Sequence, residues 1–182
     1  MLSISLRLQA KMPVVIMGET GCGKSSLVSG MCAVLGWTLN VLNVHNGLSY
    51  NAIVEWIGEQ ASACFSDETR TSVIFLDEIN ACCSVAGLFK KIVCDGSFAG
   101  RSLPQNLRIV AACNPYRLRR GACDGDESEP RTGGVQRLAD WILSLFCSWQ
   151  DLVHRVHPLH ESLVDHVMDY GSLSRDTERL YI

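Results

Sequence analysis

The stretch GETGCGKS, from Gly18 to Ser25, constrains this chain more than any other feature. It has the form GxxxxGK[ST], which fixes Gly18, Gly23, Lys24 and Ser25. The apolar run PVVIM (13–17) comes directly before it. Leu27, Met31, Val34 and Leu35 follow it at helical spacing. A buried strand, a glycine loop and a helix in that order form a cradle for phosphate. Gly18 and Gly23 let the backbone turn sharply and come close to the anion. Successive N–H groups and the helix N-terminus then face it. Lys24 is expected to reach the β and γ phosphates and the Ser25 hydroxyl to ligate Mg2+. The expected binding set is Gly18, Glu19, Thr20, Gly21, Cys22, Gly23, Lys24, Ser25 and Ser26. The alternative, a plain glycine turn before a core helix, is set aside on this context.

The rest of the chain continues the alternation. TLNVLNVH (38–45), SVIFLD (72–77) and LRIVAACN (107–114) read as further strands, with LVHRVHPL (152–159) as a weaker fifth. Continuous apolar runs suggest strands covered on both faces, as in a parallel sheet. Ile53, Ile57 and Ala61 form one helical stripe between strands, and Val85, Leu88, Phe89 and Ile92 another. Trp141, Ile142, Leu145, Phe146 and Trp149 suggest a later helix, and MLSISLRLQAKM reads as a leading helix over 1–12. CDGSFAGRSLPQN (94–106) reads as a loop or hairpin, and 121–134, rich in glycine and acids, as a mobile loop. At 182 residues and 47% hydrophobic content, the chain is long and apolar enough for one buried core. The expected fold class is α/β: a P-loop αβα sandwich on a mostly parallel five-stranded sheet, with residues 13–182 as the nucleotide-binding unit.

Two further strand ends bear on chemistry. VIFLDE (73–78) carries Asp77 to the carboxyl end of a buried strand, where ligands of open α/β sheets sit. Asp77 is expected to support the Mg2+ site. Glu78 follows at once, and a second carboxylate there can polarise water in line with a terminal phosphate. RIVAACNP (108–115) ends another apolar run in Asn114, whose amide can donate to the phosphate and orient that water. Lys24, Glu78 and Asn114 are thus the expected catalytic set. GTPases fit poorly, because no asparagine precedes a lysine in an NKxD pattern. Small-molecule kinases share the loop, but the Asp-Glu pair points to hydrolysis.

Composition excludes other classes. The formal net charge of −3 argues against a general nucleic-acid binder. No apolar run approaches the ~18–20 residues of a membrane span. The nine cysteines form no CxxC pair, and Cys32, Cys64, Cys94 and Cys113 sit in apolar runs. They read as reduced core thiols of a cytoplasmic protein rather than a disulfide framework. Cys22 takes a variable slot of the loop. His154, His157, His160 and His166 have spacing that metal could use, but Pro158 interrupts them and no cysteine is near, so they read as ordinary histidines. His45 and Asn46 end the second strand, beside where Glu78 should project.

Taken together, these residues resemble an AAA+ ATPase module: GETGCGKS as Walker A, VIFLDE as Walker B and Asn114 as sensor 1. PVVIMGETGCGKS, FLDEIN, GLFKKIVCDGSFAGRSLP, IVAACNPYRLR and LVHRVHPLHESLVDHVMDYGSL closely resemble the mysterin family of giant RING-type ubiquitin ligases, over residues 13–120 and 151–173. The resemblance implies ATP and Mg2+ as ligands, with hydrolysis driving conformational change in a ligase, and a polar group, His45 or Asn46, that tethers Glu78 until a partner binds. It also implies neighbouring AAA+ modules of the same parent chain, and the ubiquitination machinery, as partners. No RING pattern is present, so ligase chemistry would lie outside this chain. The chain ends soon after the fifth strand, so the expectation is an AAA+ large subdomain without its helical lid. Arg117, Arg119 and Arg120 read as a solvated turn, and an arginine finger would come from a neighbouring module. Two rivals remain: a nucleotide-gated interaction module without productive turnover, and a nucleic-acid-remodelling ATPase, which the acidic balance disfavours.

Overall fold

The computed structural model describes residues 1–45, 47–67, 69–82, 85–115, 156–157 and 159–171. Helix α1 (Leu2–Gln9) buries Ile4 and Leu8, one turn apart, and leads into strand β1 (Val14–Met17). Helix α2 (Lys24–Leu35) follows the glycine loop. Strand β2 (Thr38–Asn43) and helix α3 (Tyr50–Ser66) come next, and the Ser49 hydroxyl caps α3 by accepting from the Ala52 amide at 3.2 Å. Strand β3 (Ser72–Asp77) and helix α4 (Ala86–Val93) precede a small antiparallel hairpin, β4 (Ser97–Phe98) and β5 (Arg101–Ser102). Strand β6 (Leu107–Cys113), a short helix α5 (Glu161–Val164) and strand β7 (Val167–Asp169) complete the described elements.

Five strands form one parallel sheet in the order β2-β3-β6-β1-β7. Side chains alternate across a strand, so each inner strand feeds two cores. Val14, Ile16, Val73, Phe75, Val110 and Ala112 pack with Val28 and Met31 of α2 and with α1. Val15, Ile74, Leu76, Ala111 and Cys113 pack on the other face with α3, α4 and α5. The result is the expected αβα sandwich. The order also sets β3, β6 and β1 side by side, and because they run parallel their carboxyl ends meet at one edge of the sheet.

Four expectations need correction. The fifth strand is Val167–Asp169, whereas Val156, His157 and Leu159 adopt no strand; the other residues of 152–159 lie outside the described set. Val156 is buried without pairing, so its apolar signal came from packing and not from a ladder. Strand β2 is not covered on both faces: it lies at the edge of the sheet, and Val41 is 45% exposed. On α2, Val34 is 82% exposed, and the core stripe is Val28, Met31 and Cys32. Cys94 is only half-buried, its thiol donating to the Ser162 carbonyl at 3.3 Å, whereas Cys32, Cys64 and Cys113 are buried as expected. The leading helix, the hairpin and the α3 and α4 stripes form as read. The segment 121–134, the helix expected around Trp141, and Arg117, Arg119 and Arg120 lie outside the described residues. No helix among the described residues is long and apolar enough to cross a membrane.

Candidate functional site

Three loop tips converge at that edge. The first follows β1. Gly23 holds φ +88°, a left-handed conformation that glycine adopts without a side-chain penalty, and so turns the chain into α2. No side chain caps the N-terminus of α2, which leaves its first N–H groups free of an internal acceptor. Gly18 sits where space is tight: a Cβ there would lie 2.8 Å from Cys22 Sγ and 3.4 Å from both the Gly171 carbonyl and Tyr170 Cβ. The loop is therefore held from β7 as well, with the Tyr170 amide donating to the Met17 carbonyl at 2.7 Å.

Lys24 is 7% exposed. Its ammonium donates to the carbonyls of Gly18 (2.6 Å) and Glu19 (3.0 Å) and to Asn114 Oδ1 (3.1 Å). Ser25 Oγ donates to Asp77 Oδ2 at 3.0 Å, and Asp77 Oδ1 accepts the Glu78 amide at the same distance. Glu78 adopts φ +57°, an uncommon conformation for a residue with a Cβ, and one that concentrates at functional sites. The carboxamide of Asn114, only 6% exposed, joins the two sides. Nδ2 donates to Glu78 Oε1 at 3.3 Å, while Oδ1 accepts from Lys24 and, at 3.5 Å, from the Thr20 hydroxyl.

A cavity of ≈ 300 Å³ opens between these groups, lined by Thr20, Gly21, Gly23, Lys24, Ser25, Ser26, Asp77, Glu78 and Asn114. Apart from Gly18, Glu19 and Cys22, these are the residues singled out in the sequence. Gly18 and Glu19 touch the site through the carbonyls that Lys24 holds, and Cys22 is half-buried within the loop, its Sγ next to Gly18. The donor set suits a magnesium-bound polyphosphate: a hydroxyl and a carboxylate as hard oxygen ligands, a lysine, and uncapped helix N–H groups.

The expected tether does not form through His45. Its Nδ1 accepts the Gly47 amide at 3.2 Å, and Glu78 pairs with Asn114 instead; Asn46 lies outside the described residues. Among the described residues no cluster of three or more histidine, cysteine or acidic side chains could hold a metal ion. His157 is buried, and burial pushes its pKa below the usual histidine value. Sequence reading missed Asn80, buried at 3% exposure directly behind the acidic pair and bonded to the backbone of Asn114. The one available signal was a polar residue after Ile79, closing the stretch FLDEIN.

Fold and site together define an AAA-type module of the P-loop class. The family model described as the RNF213 AAA domain matches residues 1–117, and the chain belongs to that family. It is similar to E3 ubiquitin-protein ligase rnf213-beta of Danio rerio, 34% identical over 205 aligned positions. It is also similar to E3 ubiquitin-protein ligase RNF213 of Mus musculus (33% over 194 positions) and of Homo sapiens (31% over 194). Each match takes in the whole chain and 4% of the relative, so the chain spans a small fraction of the length of these ligases. The family is the one that the sequence resembles.

Proposed function

We propose that this chain binds ATP with Mg2+ and hydrolyses it, and that turnover drives conformational change in a large cytoplasmic ubiquitin ligase. The observation that carries the reading is the meeting of Lys24, Ser25, Asp77, Glu78 and Asn114, from three separate loop tips, around one cavity of ≈ 300 Å³. The N–H groups of the phosphate loop and the Lys24 ammonium bind the β and γ phosphates. Ser25 and Asp77 would hold the Mg2+ of Mg2+–ATP, and the metal would help to neutralise the charge on the terminal phosphoryl group. Glu78 takes a proton from the attacking water, and Asn114 orients that water while contacting the terminal phosphate. Neighbouring modules of the parent chain supply an arginine, and ubiquitin transfer takes place elsewhere in that chain.

The test is single-turnover hydrolysis by this chain and by Glu78→Gln, alongside nucleotide affinity. Loss of a general base costs about 10²–10⁴-fold in rate, with affinity retained. Equal rates in the two proteins would replace this reading with that of a nucleotide-gated interaction module.

A further inference from the structure

Asn80 touches nothing in the cavity, yet both polar atoms of its side chain meet the residue that bridges it. Its Oδ1 accepts the Asn114 amide at 3.2 Å, and its Nδ2 donates to the Asn114 carbonyl at 2.8 Å. The two bonds close a ring between a side-chain amide and a backbone residue, with both partners buried. Only a carboxamide provides an acceptor and a donor at that spacing; an aspartate would set an acceptor against the Asn114 carbonyl. The neighbouring backbone extends the same seam, as the Ile79 amide donates to the Ala112 carbonyl at 3.0 Å and the His157 amide to the Asn80 carbonyl at 2.7 Å. On the far side of the ring, the Asn114 side chain reaches Lys24 and Glu78. Fixing the Asn114 backbone therefore fixes where its amide points.

We propose that Asn80 is a positioning residue of this site: it clamps the Asn114 backbone, so that the Asn114 amide keeps Lys24 and Glu78 at their mutual setting. The inference rests on the proposed function and deepens it. Among the described residues, Asn80 makes no hydrogen bond of its own to the phosphate loop and reaches Lys24 and Thr20 only through the Asn114 amide, so the clamp governs kcat more than KM. Asn80 also sits where the ends of β3 and β6 and the approach to β7 are tied together.

The test uses the full 182-residue chain. Asn80→Ala and Asn80→Asp should lower kcat by about 10- to 100-fold, as loss of a supporting shell does, with KM within about threefold of wild type. In the double variant Asn80→Ala/Asn114→Ala, kcat should be no lower than in Asn114→Ala alone, because Asn80 acts through the Asn114 side chain. Multiplying losses, or an unchanged kcat in both single variants, would overturn the proposal. Amide hydrogen exchange gives a readout independent of catalysis: the Asn114 N–H should be strongly protected in wild type and should exchange faster in Asn80→Ala. Fast exchange at Asn114 in the wild-type chain overturns the clamp even if the variants do not fold. If the wild-type chain binds ATP without hydrolysing it, the functional reading fails; slow exchange that Asn80→Ala abolishes would still support the clamp.

Discussion

Ser25 Oγ donates to Asp77 Oδ2 across 3.0 Å, joining the first turn of α2 to the carboxyl end of β3. Both are hard oxygen groups of the kind Mg2+ prefers. Their pairing predicts that Ser25→Ala loses affinity mainly for the metal-bound nucleotide. One bond to a charged group contributes about 1.5–3 kcal/mol, so the expected loss is about 10- to 100-fold with Mg2+ present. With EDTA, wild type and variant should bind a fluorescent ATP analogue with similar affinity. An equal loss in both conditions would detach Ser25 from the metal.

Thiol chemistry separates the loop from the core. Cys113 is fully buried on β6, and burial pushes its thiol up to about 12; Lys24 opposes that rise and Asp169 adds to it. Cys22 is half-buried in the phosphate loop. The thiolate is the reactive form. Iodoacetamide near neutral pH should therefore label Cys22 and spare Cys113, as read by peptide mass spectrometry. Saturating Mg2+–ATP should slow labelling at Cys22, because the loop closes around the phosphates. An unchanged rate with nucleotide would argue that the loop does not wrap it.

How much of this was legible in the sequence follows from where each signal comes from. Strands β1, β3 and β6 are buried on both faces, so each is a run of apolar residues, and the polar residue ending the run stands out. That made Asp77, Glu78 and Asn114 readable, as the glycine-loop motif did Lys24, and the parallel order then had to bring them to one edge. Strand β7 was not readable, because it is three residues long and only Val167 is buried. Val156 looked like strand because it too is buried, although it pairs with nothing. Val34 misled through spacing alone: it satisfies a helical period but faces water on the wrong side of α2. Asn80 left almost no trace, because its partner is the backbone of a residue 34 positions away. A side chain–backbone bond of that range depends on β3 and β6 being neighbours, which no local pattern encodes.

His157 gives the pH dependence a direction. It is 8% exposed, and burial lowers its pKa below the ordinary histidine value of ~6.5. The folded chain therefore takes up this proton less readily than the unfolded one. Its contribution is complete above the unfolded pKa of ~6.5 and is lost as pH falls from there through the lower folded value. The urea midpoint of wild type should drop more steeply across this acidic window than that of His157→Gln. The bond from the His157 amide to the Asn80 carbonyl belongs to the backbone and survives the substitution. Parallel pH profiles would assign the acid sensitivity to other groups.

Arg108 tests whether a half-buried charge stabilises the far end of β6. Its Nε is buried without a hydrogen-bond partner among the described residues, while an NH group donates to the carbonyls of Gln105 (2.6 Å) and Leu107 (3.1 Å). Burial lowers its pKa, so the folded state already disfavours the cation relative to water. An unpaired buried donor costs about 1–3 kcal/mol, which offsets much of what the two solvent-accessible carbonyl bonds return. Arg108→Met removes the bonds and the penalty together, and keeps an unbranched stem against the neighbouring side chains. Its stability should thus stay within about 1 kcal/mol of wild type, with an unchanged urea m value. Arg108→Ala loses the stem as well and should be clearly less stable. If Arg108→Met falls as far as Arg108→Ala, the guanidinium contributes more than its geometry implies, and the unpaired Nε has a partner in solution.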